Sequence, residues 1–394
     1  GDARVNLHEF QAKQILAGYG LPSPGGKVAI TPDQAVAIYN ELGGGAVAVK
    51  AQVHAGGRAQ AGGVKIVNSE KEAKSVAASL LGKKLVTAQT GPAGRVVRRI
   101  YIEKAVEPVR ELHVALLIDG SSGHLTLFGS AHGGGDIEER AARGELRLER
   151  LGLGDGSRRH ADEVAAFASK IRIDSASVPA FEAIVDGLRR AFVELDASLI
   201  EINPLAMLRD GSFQALDVKM VLEDNALFRH PDLTALRDED DIDQREVEAQ
   251  RHQLNFVSMD GNIGVVANGA GLGLASVDLI YAAKGKPANF MDIRTTATSL
   301  DVAYGFGLLL DNPATRAIFL NVHGGGMQPC DTIAEGLGIA MRRTGRSLPG
   351  VARLAGNNAE FARSRFVNFG CPVTDCPDMW TAATKVVAIA QKGG

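Results

Sequence analysis

What this 394-residue sequence has little of narrows its class first. It holds three cysteines, Cys330, Cys371 and Cys376, an odd and sparse set that suits a reducing compartment. Cys371 and Cys376 have neither the spacing nor the companions of a zinc site. No apolar run approaches the ~18 to 20 residues of a membrane span, and the N-terminus lacks a basic-then-apolar signal pattern. A cytoplasmic location is therefore expected. An excess of charge is missing too: 43 Lys and Arg face 46 Asp and Glu, a net of -3. That balance makes no electrostatic case for nucleic acid or an anionic membrane surface. The pairs Arg98-Arg99 and Arg158-Arg159 read as solvated faces. No internal repeat or extended low-complexity tract appears.

What is there is a chain with 45% hydrophobic residues, long enough for two or three domains with real cores. Its most informative stretch runs from Leu199 to Lys219. Two strand-like runs flank Arg209-Asp210-Gly211, which predicts an antiparallel hairpin with Gly211 in the positive-φ position of a three-residue loop. That register sets Asn203 opposite Asp217, and the strand period of two puts Glu201 on the face of Asn203. Amide and carboxylate oxygens suit Mg²⁺, which takes the rest of its shell from phosphates and waters. A two-residue loop would pair Asn203 with Val218 instead, and an edge hairpin with a solvated polar face is the competing reading. Both stay open on these residues alone.

Upstream, Asn6 and Glu9 have the spacing of a capping box ahead of a helix that ends at Gly20, and Thr31-Pro32-Asp33 opens a second helix. Ala46 to Ala51 reads as a strand with Lys50 near its end, followed by the glycine-rich segment His54 to Gly63. Backbone N-H groups of such a loop can approach phosphate oxygens while a lysine supplies a point charge. No Gly-Lys-Ser/Thr follows, so it is not a Walker A loop, and a surface hairpin is the alternative. Arg99 to Ala105 reads as another strand with Glu103 leaving it, and Glu111 follows; both carboxylates are candidates for a nucleotide's base, ribose or metal. A strand pair is expected over His113 to Ile118 and His124 to Gly129, and a charged helix over Asp136 to Arg143.

A polar acidic run after Arg237 marks an expected domain boundary near residue 244. Strands then alternate with helices: Asn262 to Ala267, a helix over Leu274 to Ala283, Ala317 to Val322, a helix over Thr332 to Arg342, and Pro349 to Leu354. That alternation predicts a parallel, doubly wound sheet. Its glycine turns, Asn268-Gly-Ala-Gly271 and His323-Gly-Gly-Gly326, lie between strand ends and helix starts, where anions bind.

Taken together, Asn6-Leu-His-Glu-Phe-Gln-Ala-Lys13, Lys50-Ala-Gln-Val-His-Ala-Gly-Gly-Arg58, Leu81-Gly-Lys-Lys-Leu-Val-Thr87, Ile200-Glu-Ile-Asn-Pro204, Asp224-Asn-Ala-Leu-Phe-Arg229, Asp260-Gly-Asn-Ile-Gly264, Asn268-Gly-Ala-Gly271 and Pro287-Ala-Asn-Phe290 closely resemble the β subunits of succinate-CoA ligases. The resemblance covers essentially the whole chain in order. It implies an ATP-grasp nucleotide-binding domain over residues 1–243 and a flavodoxin-like CoA-ligase domain over 244–394. It also implies an α-subunit partner that carries the phosphorylated histidine and the CoA site, with a dicarboxylate as acid substrate. Carried over by position, Lys50, Gly57, Arg58 and Ala59 contact the phosphates of ATP, and Glu103, Val106 and Glu111 line the nucleotide cleft. Asn203 and Asp217 hold Mg²⁺, Glu201 is the catalytic carboxylate that faces the visiting phosphohistidine, and Asn268, Gly325, Gly326 and Met327 contribute to the acid-substrate and phosphohistidine site. Pro24 looks like the ATP-using bacterial form.

Three positions depart from the family pattern. Ala59 stands where a glycine is usual, Ile293-Arg-Thr-Thr-Ala297 replaces a glycine run, and His323-Gly-Gly-Gly-Met327 replaces Phe-Gly-Gly-Ile-Val. Arg294 is suited to pairing a carboxylate, and Thr295 and Thr296 to binding a hydroxy acid such as malate. A self-contained ATP-grasp carboxylate-amine ligase is a competing reading, against which the long second domain argues. A nucleotide-sensing module without turnover is another, against which the joint presence of Lys50, Glu201, Asn203 and Asp217 speaks.

Overall fold

The computed structural model describes residues 5–87, 89, 90, 94–134, 137, 140, 143, 144, 146–237, 244–325 and 328–392. The helix expected over Asp136 to Arg143 and the acidic run before residue 244 lie largely outside them. The described residues form two compact units, residues 5–237 and residues 244–392. Among the described residues no helix is long and apolar enough to cross a membrane.

In the first unit the strands are β1 (Val5–Asn6), β2 (Gly26–Ala29), β3 (Val47–Ala51), β4 (Val64–Val67), β5 (Lys84–Leu85), β6 (Arg95–Val96), β7 (Ile100–Lys104), β8 (Arg110–Ile118), β9 (Leu125–Ser130), β10 (Glu149–Gly152), β11 (Ala197–Met207), β12 (Phe213–Ala215) and β13 (Val218–Leu222). One antiparallel sheet has the order β2-β7-β3-β4. A larger antiparallel sheet runs β1-β13-β11-β8-β9-β10, with β12 also paired to β11, and β5 pairs β6 apart from both. Each sheet has its own buried apolar cluster. Strand β11 shows why: Ile200 and Ile202 are fully buried, a period of two turns Glu201 and Asn203 to the other face, and a register shift between Ile202 and Leu205 returns Leu205 to the core. Phe213, just past the hairpin loop, packs on Phe181 of the helix Val178–Glu194 with ring centroids 6.0 Å apart. That contact anchors the hairpin to the core.

The sequence pattern misplaced the first helix's cap. Asn6 belongs to β1, paired with Val221 of β13, and the helix Glu9–Ala17 is capped at His8, whose N-H donates to Gln11 Oε1 at 2.9 Å. Glu9 is thereby free to turn its carboxylate inward.

In the second unit, β14 (Leu254–Ser258) runs antiparallel to β16 (Asn289–Ile293). The other neighbours, β16 to β15 (Ile263–Ala267), then β17 (Ala317–Gly324), β18 (Gly350–Gly356) and β19 (Val373–Asp375), are parallel. Helices Ala270–Ala282 and Met379–Lys392 cover one face, and Ser299–Asp311, Cys330–Thr344 and Ala359–Asn368 the other. This is the doubly wound arrangement expected. The helix after β15 begins at Ala270, one turn earlier than its apolar run indicates. Gly273 lies inside it because the Phe290 ring fills the space a Cβ would take, 2.6 Å away.

Candidate functional site

The hairpin has the three-residue loop its sequence predicts. Gly211 has φ +82°, Leu208 N-H donates to Ser212 O, and Asn203 N-H donates to Asp217 O at 3.0 Å. Because Glu201 pairs with Lys219 and Leu199 with Val221 in the same register, one face of β11 and β13 presents three successive cross-strand pairs. All six residues line a cavity of about 450 Å³. Glu9, Gly57 and Arg58 line the same cavity, so the glycine-rich loop and the hairpin do face one space.

Beneath that space lies a buried cluster of charge. Glu9 Oε1 accepts from Lys50 Nζ and Lys13 Nζ, each at 2.9 Å, and Glu9 Oε2 accepts from Arg58 Nη2 at 2.6 Å. Glu103 accepts from Lys13 at 2.7 Å and also pairs with Lys50, whose ammonium donates to Leu216 O as well. Arg58 reaches onward to Asp217 Oδ1 at 2.8 Å and to Ala51 O at 2.8 Å. Burial pushes the Glu9 carboxyl up, but Lys50, Arg58 and Lys13 outweigh it and hold the group well below the usual carboxylate range. Burial works against the charge of Lys50 and of Arg58; the surrounding carboxylates overcome it and raise both above their ordinary values. These cations are permanently charged near neutral pH and fixed in place.

The oxygen-only donors Asn203 and Asp217 suit a hard divalent cation. Among the described residues no group of three or more His, Cys, Asp or Glu side chains could hold a metal. Two protein ligands fit an ion that brings phosphate oxygens and waters with it. Both side chains have protein partners: Asn203 Oδ1 accepts from Gly134 N-H at 2.8 Å and its Nδ2 donates to Gly134 O at 2.9 Å, while Asp217 pairs with Arg58. Glu201 Oε1 meets His113 Nε2 at 2.9 Å. That hydrogen bond, against the opposing effect of burial, draws the Glu201 carboxyl below its ordinary value.

The remaining positions divide. Lys50 and Glu103 are buried under the cavity rather than lining it, and Glu103 sits within β7 instead of leaving it. Ala59 is exposed beside Arg58. Val106 is half-buried in the link between β7 and β8. Glu111 is exposed and lines a separate, more open cavity with Arg110, His132 and Arg172. In the second unit Asn268 bridges the two glycine turns: Nδ2 donates to His323 O at 2.7 Å, and Oδ1 accepts from His323 N-H at 2.9 Å. Gly325 N-H donates to Gln328 O; Gly326 and Met327 lie outside the described residues. Arg294 donates to Asn255 Oδ1, Asn255 to Asp292 Oδ2, and Asp292 Oδ1 accepts from Gly269 N-H. Thr296 donates to Gln253.

Sequence reasoning gave Glu9 only a capping role and gave no site role to Lys13, His113, Gly134 or Lys219. For Glu9 and Lys13 a signal existed, since i,i+4 partners share one helix face. His113 and Lys219 emerge only from strand register.

An ATP-grasp domain family matches residues 6–207, and a CoA-ligase family matches residues 266–387. The succinate-CoA ligase (ADP-forming) subunit β of Burkholderia cenocepacia is 43% identical over 392 residues, covering 98% of this chain and 99% of its own length. The same figures hold for the protein of that name from Cupriavidus taiwanensis. Among solved structures, ATP citrate lyase from Methanothrix soehngenii, in complex with citrate and coenzyme A, matches the fold with a TM-score of 0.73 and 17% sequence identity, over 99% of this chain and all of that one.

Proposed function

The chain belongs to the succinate-CoA ligase (ADP-forming) β-subunit family, and on that premise we propose that its cavity grips the triphosphate of Mg²⁺-bound ATP and delivers the terminal phosphoryl group to a histidine of an α subunit. The observation that carries this reading is the meeting of Arg58 and Asp217 at 2.8 Å. A cation from the glycine loop and a hard-metal ligand from the hairpin share one space.

On ATP binding, phosphate oxygens would take Arg58 from Asp217 and release the Asp217 carboxylate to serve as a metal ligand. Asn203 and Asp217 would hold Mg²⁺, which neutralises charge on the β and γ phosphates. Glu9 and Glu103 keep Lys50 and Arg58 rigid, so little reorganisation is needed as charge moves. Glu201, kept ionised by His113, accepts the N-H of the incoming imidazole and offsets the positive charge that develops on it. The α subunit then passes the phosphoryl group to the acid, and CoA displaces it as the thioester. Asn268 and the glycine turns of the second domain would serve the acid and the phosphohistidine. The acid is a dicarboxylate, with succinate as the first candidate: Arg294, suited to a carboxylate, and Thr296, which with Thr295 is suited to a hydroxy acid, already have partners in Asn255 and Gln253.

Mixing the chain with an α subunit, Mg²⁺ and γ-labelled ATP tests the proposal. Acid-labile label on the α histidine is the expected result. Label on this chain, or ADP release without label, overturns it.

A further inference from the structure

The cavity floor contains one charged group whose environment differs from all the other cations around it. Lys13, Lys50 and Arg58 are each committed to buried carboxylates. Lys219 lines the same cavity but is exposed, and no hydrogen bond or ion pair engages it among the described residues. Its cross-strand neighbour Glu201 makes its ion pair with His113 through Oε1 and none with Lys219. The hairpin therefore offers a cavity-facing ammonium that acts on the Glu201 carboxylate through space but is held by no hydrogen bond or ion pair among the described residues.

Its position on the floor is set by register. Asn203 and Asp217 form one cross-strand pair, and Glu201 and Lys219 form the next pair on the same face. Successive same-face residues lie ~7 Å apart along a strand, and cross-strand partners have Cβ atoms ~5 Å apart. A lysine's reach spans that gap. A phosphate bound over Asn203 and Asp217 would thus be within range of Lys219, on the side where Glu201 is proposed to meet the imidazole.

Resting on the nucleotide reading above, we infer that Lys219 is a catalytic residue that contacts the equatorial oxygens of the γ-phosphoryl group during its transfer. In that step the bond between Pγ and the β–γ bridging oxygen breaks, its electron pair leaving with ADP. The Pγ–N bond forms from the imidazole lone pair. Lys219 gains and loses no proton; its fixed positive charge meets the negative charge spread over the transferring group. A point charge on a flexible stem suits a group that shifts between two ends of a reaction. The alternative is a plain solvated surface lysine.

Single-turnover labelling of the α histidine by the reconstituted complex separates the two. Lys219→Ala is expected to slow transfer by roughly 100-fold, and Lys219→Arg to recover about a tenth of the rate or more. MgATP affinity, measured by calorimetry on the same Lys219→Ala protein, should change less than about 5-fold, which also shows that the variant is folded. Transfer by Lys219→Ala within about twofold of the unsubstituted chain overturns the inference and leaves the nucleotide reading standing. An unsubstituted chain that transfers no label removes that reading and this one together.

Discussion

Arg58 Nη2 stands 2.8 Å from Asp217 Oδ1, so the cation proposed to bind phosphate and the carboxylate proposed to bind the metal satisfy each other. Asn203 is satisfied as well, by both backbone groups of Gly134. A metal ion arriving alone must break these contacts, whereas phosphates arriving with it give Arg58 a new partner. In Mn²⁺ titrations followed by electron paramagnetic resonance, ADP should tighten binding, and Arg58→Ala should raise the affinity of the nucleotide-free chain by about tenfold. Equal affinity in the variant and the parent would count against this ordering.

Glu9 is the hub of the buried cluster, with three cations on one carboxylate. Glu9→Gln leaves those charges short of a partner, and should lower the unfolding free energy of the first unit by about 3 kcal/mol or more in urea titrations. The native carboxyl lies well below its ordinary value of 4.5. Its contribution is therefore present above that pH and is lost as the pH falls through the depressed native value. The parent should lose stability in acid more steeply than Glu9→Gln, as read from urea midpoints between neutral and acidic pH.

His113 acts on Glu201 through one hydrogen bond, and its own Nδ1 is buried without a hydrogen-bond partner among the described residues. His113→Phe should cut the rate of histidine phosphorylation by about tenfold, the worth of a hydrogen bond to a charged group. His113→Gln, which keeps a donor, should recover part of it. The Kd for MgATP should stay unchanged in both, so a loss of ATP affinity instead would make His113 a packing residue.

How much was legible beforehand depended on the range of the interaction. Arg209-Asp210-Gly211 announced its turn locally, and from that turn the Asn203 and Asp217 pairing followed by counting residues. The parallel strands β15, β17 and β18 of the second unit were visible in the alternation of apolar runs with glycine turns, while the antiparallel edge strand β14 was not. The Glu9 cluster was not, because its members come from a helix, two strands and a loop, and only the packed first unit brings Lys13, Lys50, Arg58 and Glu103 within reach of one carboxylate. The capping-box spacing of Asn6 and Glu9 misled for a related reason: sheet pairing with Val221 claims Asn6, and buried cations claim Glu9.

Asn268 ties the glycine turns after β15 and β17 together through two hydrogen bonds. Asn268→Ala in the reconstituted complex should raise the KM for the acid by about tenfold or more while leaving MgATP binding untouched. The same assay run with succinate and malate identifies the acid, with succinate expected to have the higher kcat/KM.

The claim on which all of this depends is that the glycine loop and the hairpin grip one triphosphate. A double-mutant cycle on MgATP affinity, using Arg58→Ala, Asn203→Ala and the pair, measures it directly by calorimetry. A coupling energy of about 1 kcal/mol or more is the predicted result. Strictly additive effects, within about 0.3 kcal/mol, would place the two residues at separate sites and contradict the account.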